Sequence, residues 1–267
     1  MKRKFLLVVM LLSSGMLLFG CEKESTNMPE NEQQVDEVVE ETEIVEPQTE
    51  EQNGSKLRYE LSKQFCYDGD GKLSSTIVRE YDDRGYVIKE TVTLIDADGS
   101  ENSYWYDEGC DDNGNLIKDN YMTDEGLAQY WTYKYDEYNN EIECITYDSD
   151  GNKMYTQTSI YEYDSESRIT KETVIQDQEG LDLVMEYTYN YTYDEMGNLQ
   201  TSIDNFGGKK IYEYDENGFL TRLINQVGGN EMITRYTNDE YGNAIKEEYY
   251  NSYGELSNYN ENEYIGF

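Results

Sequence analysis

Carboxylates are the commonest side chains in this sequence that could do chemistry. The 267 residues include 57 Asp and Glu and no His. Without histidine, the usual Ser-His and Cys-His nucleophiles and histidine metal centres are excluded. Paired carboxylates could still serve a glycan hydrolase, but acid catalysis needs an apolar pocket that raises one pKa, and so many acids form close pairs by abundance alone. We therefore expect no enzyme, with such a hydrolase as the least favoured alternative.

Four acidic turns have the residue types of calcium loops. They are Asp68-Gly-Asp70-Gly71, Asp96-Ala-Asp98-Gly99, Asp111-Asp-Asn113-Gly114 and Asp148-Ser-Asp150-Gly151. In an EF-hand the glycine stands at position six and a bidentate Glu at twelve, whereas here the glycine stands at position four. The spacing favours Asp and Asn chosen for hairpin geometry, with weak extracellular calcium as the alternative. We expect no metal site and no cofactor.

Three cysteines, Cys66, Cys110 and Cys144, share no metal-ligand spacing. The sequence leaves open whether two of them form a disulfide. None is required.

The element that must position these groups is clearest in Tyr187 to Leu199, which reads YTYNYTYDEMGNL. Tyr187, Tyr189, Tyr191 and Tyr193 alternate with polar residues, so an extended strand puts all four rings on one face. Asp, Gly and Asn follow at once, and they accept turn conformations with positive φ. The stretch predicts a strand and a hairpin turn.

Similar turns recur along the chain in two alternating series. The first follows Tyr-Asp or a degenerate pair, with its turn residue at Gly85, Gly114, Asn139, Ser167, Gly197, Gly218 and Gly242. The second lies between these, at Gly71, Gly99, Gly126, Gly151, Gly180, Gly207, Gly228 and Gly254. Fifteen turns imply about sixteen strands of seven to nine residues.

These repeats predict an all-β fold for residues 57–267. Hairpins that repeat at a near-constant period form a meander in which each unit packs against its neighbours. Open sheets seldom exceed about ten strands without curling or splitting. We therefore expect one long antiparallel meander as an open, strongly twisted or coiled sheet, with helix only in the N-terminal segment.

The N-terminus predicts export. Lys2, Arg3 and Lys4 precede an apolar run that is too short for a spanning helix, so residues 1–20 form a signal peptide. The run ends in Leu-Phe-Gly-Cys21, which resembles the lipobox of bacterial lipoproteins. The resemblance implies cleavage before Cys21 and acylation of that residue, and an ordinary secretory signal with an incidental cysteine is the alternative. The mature protein is expected outside the cytoplasm, lipid-anchored to the cell membrane.

Residues 21–56 are expected to carry the lipid and a disordered acidic linker. Glu22 to Lys56 contains twelve acidic residues and both prolines of the chain. Loss of the signal peptide removes three basic residues and no acidic ones, so the net charge changes from −36 to −39. Such a surface repels phosphate backbones, which excludes nucleic acid as a partner. Membrane attachment would therefore depend on the lipid.

The repeat unit resembles the YD repeat of the RHS family. Tyr161-Glu-Tyr-Asp164 with Ile169-Thr-Lys, and Tyr212-Glu-Tyr-Asp215 with Gly218 and Leu220-Thr-Arg, match its pattern of Tyr-Asp, a glycine turn and Leu-Thr-Lys or Leu-Thr-Arg. Long members wind such hairpins into shells around a cargo toxin, and YD repeats elsewhere are associated with carbohydrate and cell-surface binding. About seven units are too few for a large shell, so the resemblance implies binding or scaffolding rather than toxin delivery.

Aromatic rings are the candidate ligand contacts. Tyrosine pairs at equal offsets from successive turns would form rows along the sheet, which mainly serve packing. Tyrosine also suits a partly wet face that stacks on sugar rings. We predict Trp105, Trp131, Tyr187 and Tyr189 as contacts for a neutral or cationic glycan. The sequence thus favours a non-catalytic binding or scaffold module that meets a glycan or an envelope protein, with a purely structural spacer as the alternative.

Overall fold

The computed structural model describes residues 58–181 and 184–267. They belong to a compact unit, Gly54–Phe267. The predicted signal helix (1–20), the acylated Cys21 and the acidic linker (21–56) lie outside the described residues. Within the described part of the chain, no helix is long and apolar enough to cross a membrane.

The unit consists of sixteen antiparallel strands in chain order, which confirms the all-β meander and its strand count. The strands are β1 (Tyr59–Asp68), β2 (Leu73–Tyr81), β3 (Val87–Ile95), β4 (Glu101–Cys110), β5 (Leu116–Thr123), β6 (Gly126–Tyr135), β7 (Glu141–Asp148), β8 (Lys153–Tyr163), β9 (Ile169–Gln178), β10 (Val184–Tyr193), β11 (Leu199–Asp204), β12 (Lys209–Tyr214), β13 (Leu220–Val227), β14 (Asn230–Asn238), β15 (Ala244–Tyr250) and β16 (Leu256–Gly266). All fifteen predicted turn residues have positive φ, including the non-glycines Asn139 and Ser167.

The prediction of an open sheet was wrong, because the sheet closes into a barrel. Strand β1 pairs with β16 from Tyr59 opposite Gly266 to Asp68 opposite Asn258. Accumulated strand twist brings the two ends of a long meander together, and pairing them satisfies two edges of unpaired backbone groups. The period of the repeats predicts the number of strands, but it does not distinguish an open sheet from a closed one.

The two turn series lie at opposite ends of the barrel. The YD end carries the first series together with the start of β1 and the end of β16, and the far end carries the second series. A shared geometry forms the turns: Gly197 N donates to Asp194 O at 3.1 Å, and Asp194 N donates to Asn198 O at 2.9 Å. The Asp194 carboxylate accepts the Met196 and Asn198 amides at 2.9 and 2.8 Å. Equivalent aspartates at most other turns therefore serve hairpin geometry.

The barrel has little apolar core. Among the described residues, only Val92, Val174 and Ile224 are buried apolar side chains. Among the described residues, close backbone contacts join each strand only to its two neighbours in the sheet, and ring contacts reach no further than the next strand but one, as between Tyr106 on β4 and Trp131 on β6. Sixteen strands about 4.8 Å apart and tilted by about 40° enclose a wall about 30 Å across if the section is round, a size at which barrels contain an aqueous channel.

Candidate functional site

The lumenal face is identified by the strand register. Directly paired residues share a face, and the ladders place Tyr161, Glu172 and Tyr189 on one face of β8, β9 and β10. On this face Ser159 is 6% exposed, whereas its larger neighbour Ile160, on the other face, is 54% exposed. A small side chain buried beside an exposed large one indicates the crowded concave side. The tyrosine face therefore lines the lumen.

Tyrosine hydroxyls on this face connect one hairpin to the preceding one. Tyr193 donates to the carbonyl oxygen of Ile169 at 2.7 Å, and Tyr214 donates in the same way to Leu199 at 2.9 Å. Tyr135 makes the equivalent bond to Leu116 at 2.9 Å. In each case the acceptor is the apolar residue that begins the strand after a YD turn, where a β-bulge shifts the register. The row of tyrosines thus has a structural role, which agrees with the packing role that the sequence favoured for it.

An acidic stripe crosses the lumenal wall from β2 to β5. Arg79 Nε pairs with Glu90 Oε2 at 2.7 Å, and these residues lie directly opposite each other. Glu108 and Asp119 are also directly paired. One guanidinium therefore stands beside three carboxylates, which leaves this part of the wall with excess negative charge.

Burial shifts the protonation of the two paired acids. The pKa of Glu108 is raised to about 7, first by burial and then by the charge of Glu90, while Arg79 opposes the shift. The pKa of Asp119 is also raised to about 7, by burial and then by Glu108 and Glu90. Asp119 Oδ1 is buried without a hydrogen-bond partner. Both acids can therefore exchange a proton near neutral pH.

A second acidic position lies further round the wall. The pKa of Glu141 is raised to about 7 by burial and then by the charge of Glu172. Glu172 accepts hydrogen bonds from Ser159 Oγ at 3.1 Å and from the Tyr191 hydroxyl at 2.7 Å. Both carboxylate oxygens of Glu172 thus accept hydrogen bonds from side chains of the lumenal wall. Glu141 and Glu172 extend the acidic, tyrosine-lined surface from β5 to β10.

The structure separates the four predicted aromatic contacts. Trp131, Tyr187 and Tyr189 lie on the lumenal face, on strands β6 and β10. Trp105 lies on the outer face of β4, opposite Thr91, with Lys89 Nζ 5.5 Å from its ring centroid. The ring neighbour of Trp131 is Tyr106, at 6.3 Å, and that of Tyr187 is Phe206, at 5.6 Å. The four residues therefore form no single site.

Sequence reasoning did not assign Glu108, Asp119 or Glu141 to a functional site. The signal was nevertheless present, because Tyr104, Tyr106 and Glu108 alternate at period two and so share a face. Glu141 stands where other repeats carry an apolar residue after the turn.

The three described cysteines are free thiols. Burial raises the pKa of the Cys66 and Cys110 thiols, and it raises that of Cys144 to about 12. These thiols are therefore protonated and weakly nucleophilic at neutral pH. The residues that the structure describes contain no group of three or more side chains arranged to hold a metal ion.

The outer face is mixed in character, because the buried Ile224, paired with Ile211 and Ile233, lies on it together with polar side chains. Cross-strand ion pairs join Lys171 to Glu162 at 2.7 Å and Arg222 to Glu213 at 3.1 Å. A hydroxyl pair joins Thr192 to Thr201 at 2.7 Å. Aromatic rings also stack on this face, Tyr130 on Tyr147 and Tyr67 on Tyr259, each at 4.7 Å. What distinguishes the lumenal face is therefore its set of buried carboxyls with raised pKa values, Glu108, Asp119 and Glu141.

Comparisons with known proteins place the barrel among known folds. No protein-family model matches the chain. Over 120 residues it is 28% identical to the tRNA3(Ser)-specific nuclease WapA of Bacillus spizizenii, across 44% of this chain and 4% of that protein. The chain thus spans only 4% of the length of this relative. This partial match loosely fits the YD-repeat resemblance.

Solved structures with a similar chain path were also found. A porin-like protein from Bacteroides uniformis superposes with a TM-score of 0.50 at 14% identity, covering 78% of this chain and 98% of that one. TcdB2-TccC3-TEV gives a TM-score of 0.28 at 14% identity, covering 70% of this chain and 12% of that one. The first similarity shows a shared fold.

Proposed function

We propose that the protein is a non-catalytic binding module of the cell envelope that takes a neutral or cationic glycan strand into its barrel. Acylation of Cys21 would hold it at the membrane, outside the cytoplasm. The observation that carries the proposal is the hollow lumen lined by tyrosines and carboxylates. The barrel shared with a porin-like protein supports an envelope setting.

The lumenal chemistry suits sugars. Sugar rings present apolar faces that stack on aromatic planes, and their hydroxyls need hydrogen-bond donors and acceptors. Trp131 and Tyr106 supply rings beside the carboxylates of Glu108 and Asp119. Excess negative charge on the wall favours amino sugars and disfavours anionic polymers. Side chains of about 6 Å on opposite walls leave a passage of roughly 15–20 Å, enough for one polysaccharide strand.

The two tryptophans provide a matched test. The mature chain with Cys21→Ala, and therefore without lipid, is tested for retention on insoluble chitosan, chitin and cellulose. Trp131→Ala and Tyr189→Ala should each reduce retention at least about tenfold, because each removes a lumenal ring. Trp105→Ala is the control, since it removes the same side chain from the outer face. Thermal melting is measured for every variant.

Three outcomes would contradict the proposal. The first is that the parent protein is not retained on any of the glycans. The second is that retention falls only in step with the melting temperature, which means that the rings serve packing alone and supports the structural spacer. The third is that Trp105→Ala has the same effect as Trp131→Ala, which places binding on the outside.

A carboxylate-dependent glycan hydrolase is the second candidate, favoured by the directly paired Glu108 and Asp119. A carboxyl with a pKa near 7 could protonate a leaving oxygen while its partner acts as base or nucleophile. Incubation with chitosan or cellulose oligomers, followed by a reducing-end assay, tests this. Release of reducing ends that Glu108→Gln abolishes would establish the hydrolase, and intact oligomers retained by the protein support binding alone.

A further inference from the structure

The far end of the barrel has two halves that differ in how much apolar surface they expose. On the first half, the neighbouring turns from β9–β10 to β15–β16 carry large apolar side chains. We call this set the apolar crescent, and its members are 44–87% exposed: Leu181, Val184, Phe206, Val227, Met232 and Tyr253. On the second half, the turn tips carry acids, which we call the acidic crescent: Asp70, Asp98, Asp124, Glu125 and Asp150. Both halves carry exposed acids, with Glu179, Glu231 and Glu255 on the first half, and on the second half the apolar Leu94, Leu127 and Met154 are 37–44% exposed.

The turn geometry does not account for the apolar residues. Phe206 occupies the same position in its turn as Asp70 does in the β1–β2 turn. The Phe206 amide donates to Asp204 Oδ1 at 2.8 Å, and the Asp70 amide donates to Asp68 Oδ1 at 3.0 Å. Tyr253 is held in the same way by Asn251 Oδ1, at 3.0 Å. An aspartate satisfies this position equally well, so the turn geometry does not require a ring that is 74% or 87% exposed.

Contiguity distinguishes the crescent from scattered surface apolar residues. At the YD end, the exposed apolar tips Tyr138, Met196 and Tyr241 belong to alternate turns with polar tips between them. At the far end the apolar tips Phe206 and Tyr253 also belong to alternate turns, but exposed Val227 and Met232 flank the glycine turn between them, so exposed apolar side chains continue across three adjacent turns. Exposed apolar patches of this kind mark interaction sites. The crescent is also continuous with the lumen, since Phe206 makes an edge-on contact with Tyr187 at 5.6 Å.

We propose that the far end is a docking surface for a protein segment that presents basic side chains beside apolar ones. Apolar residues of the partner would cover the apolar crescent, and its lysines or arginines would face the acidic crescent. Charge complementarity selects this occupant. A second copy would bring two acidic crescents together on chains that each carry a net charge of −36. Anionic lipid headgroups would meet the same repulsion from the acidic crescent.

The test uses a synthetic amphipathic peptide with leucines on one face and lysines on the other, and binding is measured by fluorescence anisotropy in 0.15 M salt. Phe206→Asp and Tyr253→Asp should each weaken binding at least about tenfold. Met196→Asp is the matched control, because Met196 holds the same turn position at the YD end, is 71% exposed and gains the same charge. It should change binding less than about twofold.

Several results would overturn the docking surface. If Met196→Asp weakens peptide binding as much as Phe206→Asp does, the peptide is attracted by the overall charge of the protein and not by the crescent. If the parent protein does not bind the peptide, the proposed chemistry of the partner is wrong. Binding to phosphatidylcholine vesicles is also measured, and sedimentation velocity gives the oligomeric state. Phe206-dependent binding to the vesicles would assign the crescent to a lipid surface, and a dimer lost in Phe206→Asp would assign it to a second copy.

Discussion

The hydroxyl of Tyr193 donates a hydrogen bond of 2.7 Å to the backbone oxygen of Ile169, which lies 24 residues earlier in the chain. Ile169 begins the strand after the preceding YD turn, at a bulge where the ladder is irregular. The tyrosine of one repeat therefore satisfies a carbonyl of the repeat before it. This relationship explains why tyrosine, rather than phenylalanine, recurs before the turn aspartate.

Removing that hydroxyl should destabilise the barrel. Tyr193→Phe leaves the Ile169 carbonyl without its side-chain donor, at a cost of about 1–2 kcal/mol in the free energy of unfolding. The control is Tyr187→Phe, because the Tyr187 hydroxyl donates to the Met185 sulfur, at 3.5 Å, rather than to a backbone oxygen. It should cost less than about 0.5 kcal/mol, since sulfur is a weak acceptor. Urea unfolding measures both, and equal costs would disprove the role of the bond.

Barrel closure predicts long-range effects of a terminal truncation. A chain that ends at Glu255 lacks β16 and leaves β1 and β15 as unpaired edges. We expect amide hydrogen exchange to accelerate in β8 and β9, on the opposite side of the barrel, as well as in β1 and β15. Faster exchange confined to β1 and β15 would indicate that the strands behave as an open meander.

The repeats should fold only in the context of the whole barrel. A fragment from Tyr187 to Gly229 contains four strands, β10 to β13, and cannot close, so its contacts do not offset backbone ordering of about 1–2 kcal/mol per residue. Its circular dichroism should show no sigmoidal thermal transition. A transition like that of the full unit would contradict the cooperative account.

Stability should change with pH in two separate ranges. Glu108, Asp119 and Glu141 have pKa values raised to about 7, so the folded state binds more protons than the unfolded state. The stabilisation that these protonated carboxyls give the folded state is therefore lost as pH rises from about 4 to about 7. Above pH 7 their titration no longer changes the free energy of unfolding. Turn aspartates such as Asp194 have lowered pKa values, because burial, which raises the pKa, is outweighed by hydrogen bonds from the Asn198 side chain and from backbone amides. The stabilisation that they provide is lost as pH falls below about 4, the ordinary pKa of an aspartate.

The free energy of unfolding should consequently be greatest between about pH 4 and pH 5. Glu108→Gln should raise stability at pH 8 and reduce the slope between pH 5 and pH 7, as measured by urea unfolding at each pH. Glu186→Gln is the control, because Glu186 is exposed on the outer face of β10. If the slope is the same in Glu108→Gln as in the parent, Glu108 is not one of the titrating groups.

Acylation of Cys21 stays a prediction from the lipobox. Mass spectrometry of the native mature protein should find Cys21 at the N-terminus carrying lipid. Cys21→Ala should release the protein from the membrane fraction, because the acidic surface supplies no alternative attachment. An unmodified Cys21 in the mature protein would refute the prediction.

The sequence by itself determined the local structure of the repeat unit. Alternation of the tyrosines and the turn residues located every hairpin, because strand period and positive φ are properties of a few consecutive residues. The two alternating series also implied two sets of turns, which the barrel places at opposite ends. Glu108 could have been assigned to the tyrosine face by the same alternation.

Only the tertiary structure decided which features come together. Pairing of β1 with β16 joins strands from opposite ends of the unit, and no local pattern distinguishes that closure from an open edge. Closure created the lumen and therefore made Trp131 lumenal and Trp105 outward-facing, although their sequence neighbourhoods are equally aromatic. It also buried Glu108 beside Asp119, because the environment of a carboxylate depends on the strands on either side of it.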